Sequence, residues 1–135
     1  MQRVFDLSPV ADIVRSEGVC CSDTDVSIMM NTVFVGEQNV EKPLLIILAG
    51  YGSTGIFYYS CFESLSQHFR IVLVDLIGMG LSSRPTDFGQ VRKDIDLTIQ
   101  YIVDYLERWR KTLGYSDFYL FGHSFGGYIG AYYSK

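Results

Sequence analysis

The chain contains three short runs in which every position is apolar, and each run has the length of a β-strand. They span residues 44–48, 71–74 and 118–121, and Asp75 directly follows the second run. Continuous apolar runs are typical of the buried strands of a parallel sheet, so we predict one sheet that contains all three. A further strand is predicted over Val26–Val35, where β-branched residues and methionines precede a polar turn.

Two longer segments have helical spacing instead. Apolar side chains recur every four residues within 56–69, which predicts a helix, and they alternate in steps of four and three within 91–113. Gly114 is well placed to cap the second helix. We expect a long loop over 76–89 and a short helix over 7–15. Because strands and helices alternate after the first strands, the order favours an α/β fold with a largely parallel sheet.

Composition narrows the class of protein. The 135 residues are 48% hydrophobic and 19% charged, with a net charge of −4, so a globular domain is expected and no nucleic-acid partner. Cys20, Cys21 and Cys61 match no metal spacing, and adjacent cysteines are a poor start for a disulfide framework. The amino terminus lacks the apolar core of a signal peptide, and no apolar run approaches the ~20 residues of a membrane span. We therefore predict a cytoplasmic protein without a metal site.

The segment with the clearest chemistry follows the last apolar run and reads Gly122-His123-Ser124-Phe125-Gly126. Gly-x-Ser-x-Gly between a strand and a helix is the pattern of a nucleophile elbow, in which the serine hydroxyl is held up at the end of a sheet. Side chains at Gly122 or Gly126 would collide with neighbouring backbone. The alternative is an incidental match within a loop, and the flanking strand and helix weigh against it. Ser124 is the predicted nucleophile.

An oxyanion hole is predicted beside this serine. One donor would be the N–H of Phe125, which follows the nucleophile, and the other the N–H of Tyr51 in the loop after strand 44–48. Gly50 and Gly52 flank Tyr51 and let the backbone approach a substrate carbonyl. A base is harder to find, because His123 should point away from Ser124.

The other histidine, His68, lies before a predicted strand, at the far end of the sheet.

A rival interpretation uses the same glycine loop. Residues 50–55 form a literal Gly-x-Gly-x-x-Gly after a strand, and Asp75 ends the next strand. Taken alone, this is a dinucleotide-binding fingerprint with Asp75 on a ribose hydroxyl. It is weakened because at least one strand precedes the loop, and because it leaves the second glycine cluster without a role.

Three segments in the right order resemble the α/β-hydrolase fold family: Leu44–Gly52, Asp75–Pro85 and Gly122–Gly127. Asp75–Pro85 together with Trp109–Gly114 is similar to a subgroup of lipid hydrolases and lipase coactivators related to comparative gene identification protein 58. Members of that subgroup act on, or bind at, acyl lipids and lysophospholipids. Some have lost the serine and work only as partners of a lipase.

The resemblance implies a serine ester hydrolase of an acyl lipid or lysophospholipid, without a cofactor, that contacts lipid or membrane surfaces. The presence of Ser124 favours this hydrolytic branch, and a non-catalytic lipase partner or lipid-binding protein is the alternative. Two departures from the family stand out. Ala49-Gly50 replaces the usual His-Gly of the oxyanion loop, and the family's catalytic acid and histidine lie beyond the elbow.

The expected organisation follows from the extent of the resemblance. Residues 1–42 form an N-terminal extension with the first strand or strands, and residues 43–135 form the N-terminal half of a hydrolase domain. We therefore expect a fragment of a larger protein. The 135 residues alone should give no useful turnover, because they hold a nucleophile without its base and orienting acid.

Overall fold

The structure, a computed structural model, describes residues 14–22 and 24–135. Its strands and helices alternate after an initial antiparallel pair. The strands are β1 (Val14–Cys20), β2 (Met29–Val35), β3 (Leu44–Leu48), β4 (Arg70–Val74) and β5 (Tyr119–Gly122). The helices are α1 (Tyr59–Ser66), α2 (Phe88–Val91), α3 (Ile95–Leu113) and α4 (Phe125–Tyr133), and a 3-10 turn at Gly55–Tyr58 precedes α1.

The five strands form one sheet in the order β1-β2-β4-β3-β5. β3 pairs in parallel with both β4 and β5, whereas β2 runs antiparallel to β4 and β1. The carboxyl ends of the three parallel strands therefore share one edge of the sheet, which is where open α/β sheets place their ligand sites. The predicted α/β architecture with a largely parallel sheet is confirmed. Because β2 pairs with β4, the strands before residue 42 belong to the same sheet as those after it.

Helices cover both faces of this sheet. Phe62 of α1 packs with Val33, Ile47 and Leu73 on one face. On the other face, Trp109 of α3 and Ile129 of α4 belong to the larger core. Alternate residues of β3 and β4 thus contact opposite helical layers, which explains why both strands are apolar at every position.

The element boundaries differ from the sequence prediction in instructive ways. The short helix predicted over 7–15 lies mostly outside the described residues, and its last two residues, Val14 and Arg15, begin β1 instead. The long helix begins at Ile95 rather than at 91, because the Asp94 side chain accepts a hydrogen bond from the Leu97 N–H and fixes the start there. The preceding turn forms the separate helix α2, which covers the end of the predicted loop.

Strand β5 is an edge of the described sheet, since β3 is its one neighbour there. The side chains of Tyr119 and Phe121 are 64% and 50% exposed. An edge strand presents unpaired backbone N–H and C=O groups, so this edge of the described sheet can pair with another strand.

Candidate active site

Ser124 occupies the sharp turn between β5 and α4. Its backbone has φ 53° and ψ −119°, and within the described part of the chain it is the one non-glycine residue with a positive φ. A residue with a Cβ holds such a conformation only where its surroundings enforce it. The turn leaves Ser124 exposed at the carboxyl edge of the sheet, which is the geometry that a nucleophile elbow requires.

Two glycines make this turn possible by close packing. A Cβ at Gly122 would stand 2.5 Å from both the Gly126 carbonyl oxygen and the Gly127 Cα. A Cβ at Gly126 would collide with the Leu48 carbonyl oxygen. Backbone atoms surround both positions, so no side-chain movement relieves the clash. Close packing against backbone therefore requires glycine at positions 122 and 126.

The loop after β3 packs directly against the elbow. A Cβ at Gly50 would lie 3.4 Å from the Ser124 Cβ and 3.2 Å from the His123 Nδ1. The Ser53 N–H donates to the Gly50 carbonyl at 3.2 Å, which closes a tight turn, and Gly52 has a φ of +68° within that turn. A left-handed φ favours glycine, so Gly52 allows the backbone of this turn. Gly50, which has no side chain, allows the loop to pack close to Ser124.

Two backbone donors are free beside Ser124. Among the residues that the structure describes, no hydrogen bond engages the N–H of Tyr51 or of Phe125. Phe125 opens α4, where the first N–H groups have no partner within the helix. The rings of Tyr51 and Phe125 meet edge to face with centroids 6.2 Å apart. The structure thus brings the two predicted oxyanion residues together, and their role as donors stays a prediction.

A buried carboxylate, that of Asp75, anchors the loop after β3. Asp75 follows β4 and is 1% exposed. Its Oδ1 accepts a hydrogen bond from the Gly55 N–H at 3.0 Å. Its Oδ2 accepts from the Leu81 N–H at 3.1 Å and from the Asn31 Nδ2 at 3.0 Å. Asp75 therefore fastens the loops after β3 and β4 to each other and to β2.

The sequence predicts only a ribose contact for Asp75 and not its role in anchoring these loops. The signal for the anchoring role is its position, an acidic residue directly after a buried strand.

These contacts also decide against the dinucleotide-binding alternative. The Asp75 carboxylate is buried and satisfied by donors of the protein, so it presents no oxygen to a ribose hydroxyl. Both β1 and β2 precede the glycine loop. The glycines lead into a four-residue 3-10 turn rather than the N-terminus of a helix that would face a pyrophosphate.

Neither histidine of the chain is placed as a base for Ser124. His68 lies between α1 and β4, at the amino end of that parallel strand and so at the opposite edge of the sheet from Ser124. His123 adjoins Ser124, but its ring packs against Tyr58 with centroids 6.3 Å apart. Within the described residues, no hydrogen bond joins either imidazole to the Ser124 hydroxyl. Ser124 therefore has no histidine placed as a base in the described part of the chain.

The remaining reactive groups form no second centre in the described chain. Its three cysteines are free thiols, and burial beside Cys20 raises the pKa of the Cys21 thiol to about 12, which makes that thiol unreactive. The described residues include no cluster of His, Cys, Asp or Glu that would hold a metal ion. No described helix is both long and apolar enough to cross a membrane.

A cavity of about 430 Å³ opens at the same edge of the sheet. Tyr51 and Gly52, in the loop after β3, line one side. The other side is mostly apolar and consists of the loop after β4 with Phe88 of α2 and Ile102 of α3. Arg84 contributes the one charged side chain of the lining. The cavity therefore combines an apolar surface and one cationic residue with the loop that carries Tyr51.

Comparison with known families agrees with this geometry. The family described as alpha/beta hydrolase fold matches residues 42–135, more than half of the chain. The chain belongs to the α/β-hydrolase fold family.

Relatives of the chain act on lipids. It is 40% identical over 114 residues to a probable 1-acylglycerol-3-phosphate O-acyltransferase of Oryza sativa subsp. japonica, covering 84% of this chain and 26% of the relative. It is 34% identical over 98 residues to a human (lyso)-N-acylphosphatidylethanolamine lipase, covering 73% of this chain and 27% of the relative. The chain thus spans about a quarter of the length of these curated relatives.

Solved structures support the fold. Cfl2 from Burkholderia cenocepacia superposes with a TM-score of 0.74 at 23% identity, covering 90% of this chain and 37% of that protein. At this identity the likeness concerns the fold alone.

Proposed function

We propose that the protein containing this sequence is a serine ester hydrolase or acyltransferase of an acyl lipid, with a lysophospholipid as its substrate. The observation that carries the proposal is the strained, exposed Ser124 beside the free N–H groups of Tyr51 and Phe125. Membership of the hydrolase family and the lipid-acting relatives support the substrate class.

In the proposed mechanism, the Ser124 Oγ attacks the ester carbonyl carbon and forms a tetrahedral intermediate. The N–H groups of Tyr51 and Phe125 stabilise its oxyanion, and loss of one such donor typically costs ~10²–10³ in rate. When the tetrahedral intermediate collapses, the ester C–O bond breaks, the alcohol leaves and the acyl group stays on Ser124. Water or an acceptor alcohol then takes the acyl group from the serine. A general base must take the serine proton. Because His68 and His123 are not placed for this, we propose that a histidine outside these 135 residues supplies it.

The proposal is tested by turnover of a lysophospholipid in the full-length protein. Ser124→Ala should abolish acyl release, whereas the matched control Ser116→Ala should leave it unchanged, since Ser116 lies on the exposed loop before β5. Turnover that survives Ser124→Ala would overturn the assignment of the nucleophile. The 135 residues alone should give no useful turnover.

A cluster of exposed aromatic side chains favours one second candidate, a non-catalytic partner that binds a lipase or a lipid surface. The exposed aromatic side chains of Tyr119 and Phe121 on β5, together with Tyr128 and Tyr132 on α4, would supply its contact surface. This candidate predicts binding to lipid vesicles or to a lipase without ester turnover in the full-length protein.

A further inference from the structure

Arg84 lines three neighbouring cavities, of which one of about 500 Å³ also includes Asp25 and Asp87 and the other two are mostly apolar. It lines the cavity of about 430 Å³ that includes Tyr51 of the loop after β3. It also lines a neighbouring, mostly apolar cavity of about 260 Å³ that includes Pro85 and Tyr101. The two cavities further share Ile77, Gly78 and Phe88. A ligand in either space therefore meets the same arginine.

The Arg84 guanidinium is oriented by its own loop but is not neutralised. Its Nη1 donates to the Ser82 carbonyl at 3.2 Å, and its Nη2 donates to the Gly80 carbonyl at 3.1 Å. Carbonyl oxygens fix the orientation of the group and leave its positive charge in place, and a guanidinium has more donors than these two bonds use. None of the ion pairs among the described residues includes Arg84. The nearby carboxylate of Asp87 accepts instead from the Tyr101 hydroxyl at 2.7 Å.

The position of this charge relative to Ser124 follows from the sheet. Ser124 follows β5, whereas Ser83, next to Arg84, donates to the carbonyl of Met29 at the start of β2, three strands away in the sheet. Neighbouring strands lie about 4.8 Å apart, so these two positions lie about 14 Å from each other along the same edge. A glycerol backbone, a phosphate and a long arginine side chain together span such a distance.

We propose that Arg84 is the specificity-determining residue that recognises the phosphate group of the acyl lipid. This inference rests on the proposed function, and it adds the residue that distinguishes a phosphate-bearing substrate from a neutral acylglycerol. Arginine suits the role because its planar donors match phosphate oxygens in pairs. The apolar lining contributed by Ile77 and Phe88 would accept hydrocarbon.

The test is equilibrium binding of three short probes, each below its micelle concentration, to the full-length protein carrying Ser124→Ala, in which the proposed turnover is blocked. Hexanoyl lysophosphatidate carries both acyl chain and phosphate, hexanoylglycerol lacks the phosphate, and glycerol 3-phosphate lacks the acyl chain. The phosphate-bearing lipid should bind at least about tenfold more tightly than the neutral one, since hydrogen bonds between charged groups are the strong ones. If glycerol 3-phosphate binds as tightly as hexanoyl lysophosphatidate, the site recognises free phosphate and the lipid assignment is overturned.

Variants separate recognition from loop structure. Arg84→Gln should reduce the preference for phosphate about tenfold, while Arg84→Lys, which keeps the charge, should retain part of it. The control Arg92→Gln removes an exposed arginine that does not line the cavity and should change nothing. If Arg84 only pins its loop, both Arg84 variants will weaken the neutral and the anionic probe equally, and the inference is overturned. Failure here leaves the Ser124 assignment intact, because that assignment is read from acyl release and not from phosphate preference.

Discussion

Replacing Gly126 with alanine tests the packing that holds the elbow. The added Cβ would stand 2.5 Å from the Ala49 carbonyl oxygen and 2.6 Å from the Leu48 carbonyl carbon. Both are backbone atoms of the segment that leads into the loop after β3, so relief requires α4 to move away from β3. Overpacking typically destabilises a fold by 1–3 kcal/mol. Because backbone atoms cannot rotate away from the added Cβ, we expect Gly126→Ala to lower the free energy of unfolding by about 3 kcal/mol.

The matched control is Gly89→Ala. Gly89 lies in α2, and a Cβ there meets nothing within 4 Å. Alanine should leave stability unchanged or raise it by up to about 1 kcal/mol, because glycine is the poorer helix former. The measurement is the free energy of unfolding from urea titrations, compared at equal m-values. A Gly126→Ala protein within about 0.5 kcal/mol of the parent would refute the claim that glycine is required there by close packing.

Other contacts give further predictions. Thr32→Val should cost about 1–3 kcal/mol, because it removes the acceptor of the buried Trp109 indole N–H at 2.9 Å, and Thr32→Ser should restore most of the loss in a thermal melt. Hydrogen bonding from Arg110 lowers the pKa of the Glu107 carboxyl from 4.5 to about 2, so its contribution is complete above pH 4.5 and disappears as pH falls toward 2. With Glu107 a third exposed, that contribution is about 1 kcal/mol after solvent screening, and acid titration of Glu107→Gln should lack it. The open β5 edge, with Phe121 exposed, should make the 135-residue chain bind the apolar dye ANS or aggregate, and sharp, dispersed amide signals from a stable monomer would contradict this.

The buried strands could be predicted from the sequence because both faces of the sheet are covered. β3 was predicted with the observed bounds, and β4 was predicted within one residue, since their side chains contact helical layers on either side. β1 could not be predicted, because most of its residues are exposed and carry no hydrophobic period. Its position is set instead by antiparallel pairing with β2 along its whole length.

The elbow could be predicted because its residues form one short motif, even though Gly126 packs against the distant Leu48 and Ala49. Gly122, Ser124 and Gly126 lie within five positions, and steric limits on that turn are visible as a motif. The network around Asp75 could not be predicted, since it joins Asn31, Gly55 and Leu81 through hydrogen bonds that only the folded chain brings together. The same holds for Arg84, whose loop is fixed to Met29 of β2 by the neighbouring Ser83 and whose cavity is completed by Tyr51.

The most direct test of the central claim, that Ser124 is an activated nucleophile, is labelling of the full-length protein with a fluorophosphonate probe. The adduct is located by peptide mass spectrometry. We expect a single adduct on Ser124, no labelling of Ser124→Ala, and unchanged labelling of Ser116→Ala. An adduct on another residue, or labelling that persists in Ser124→Ala, would contradict the account.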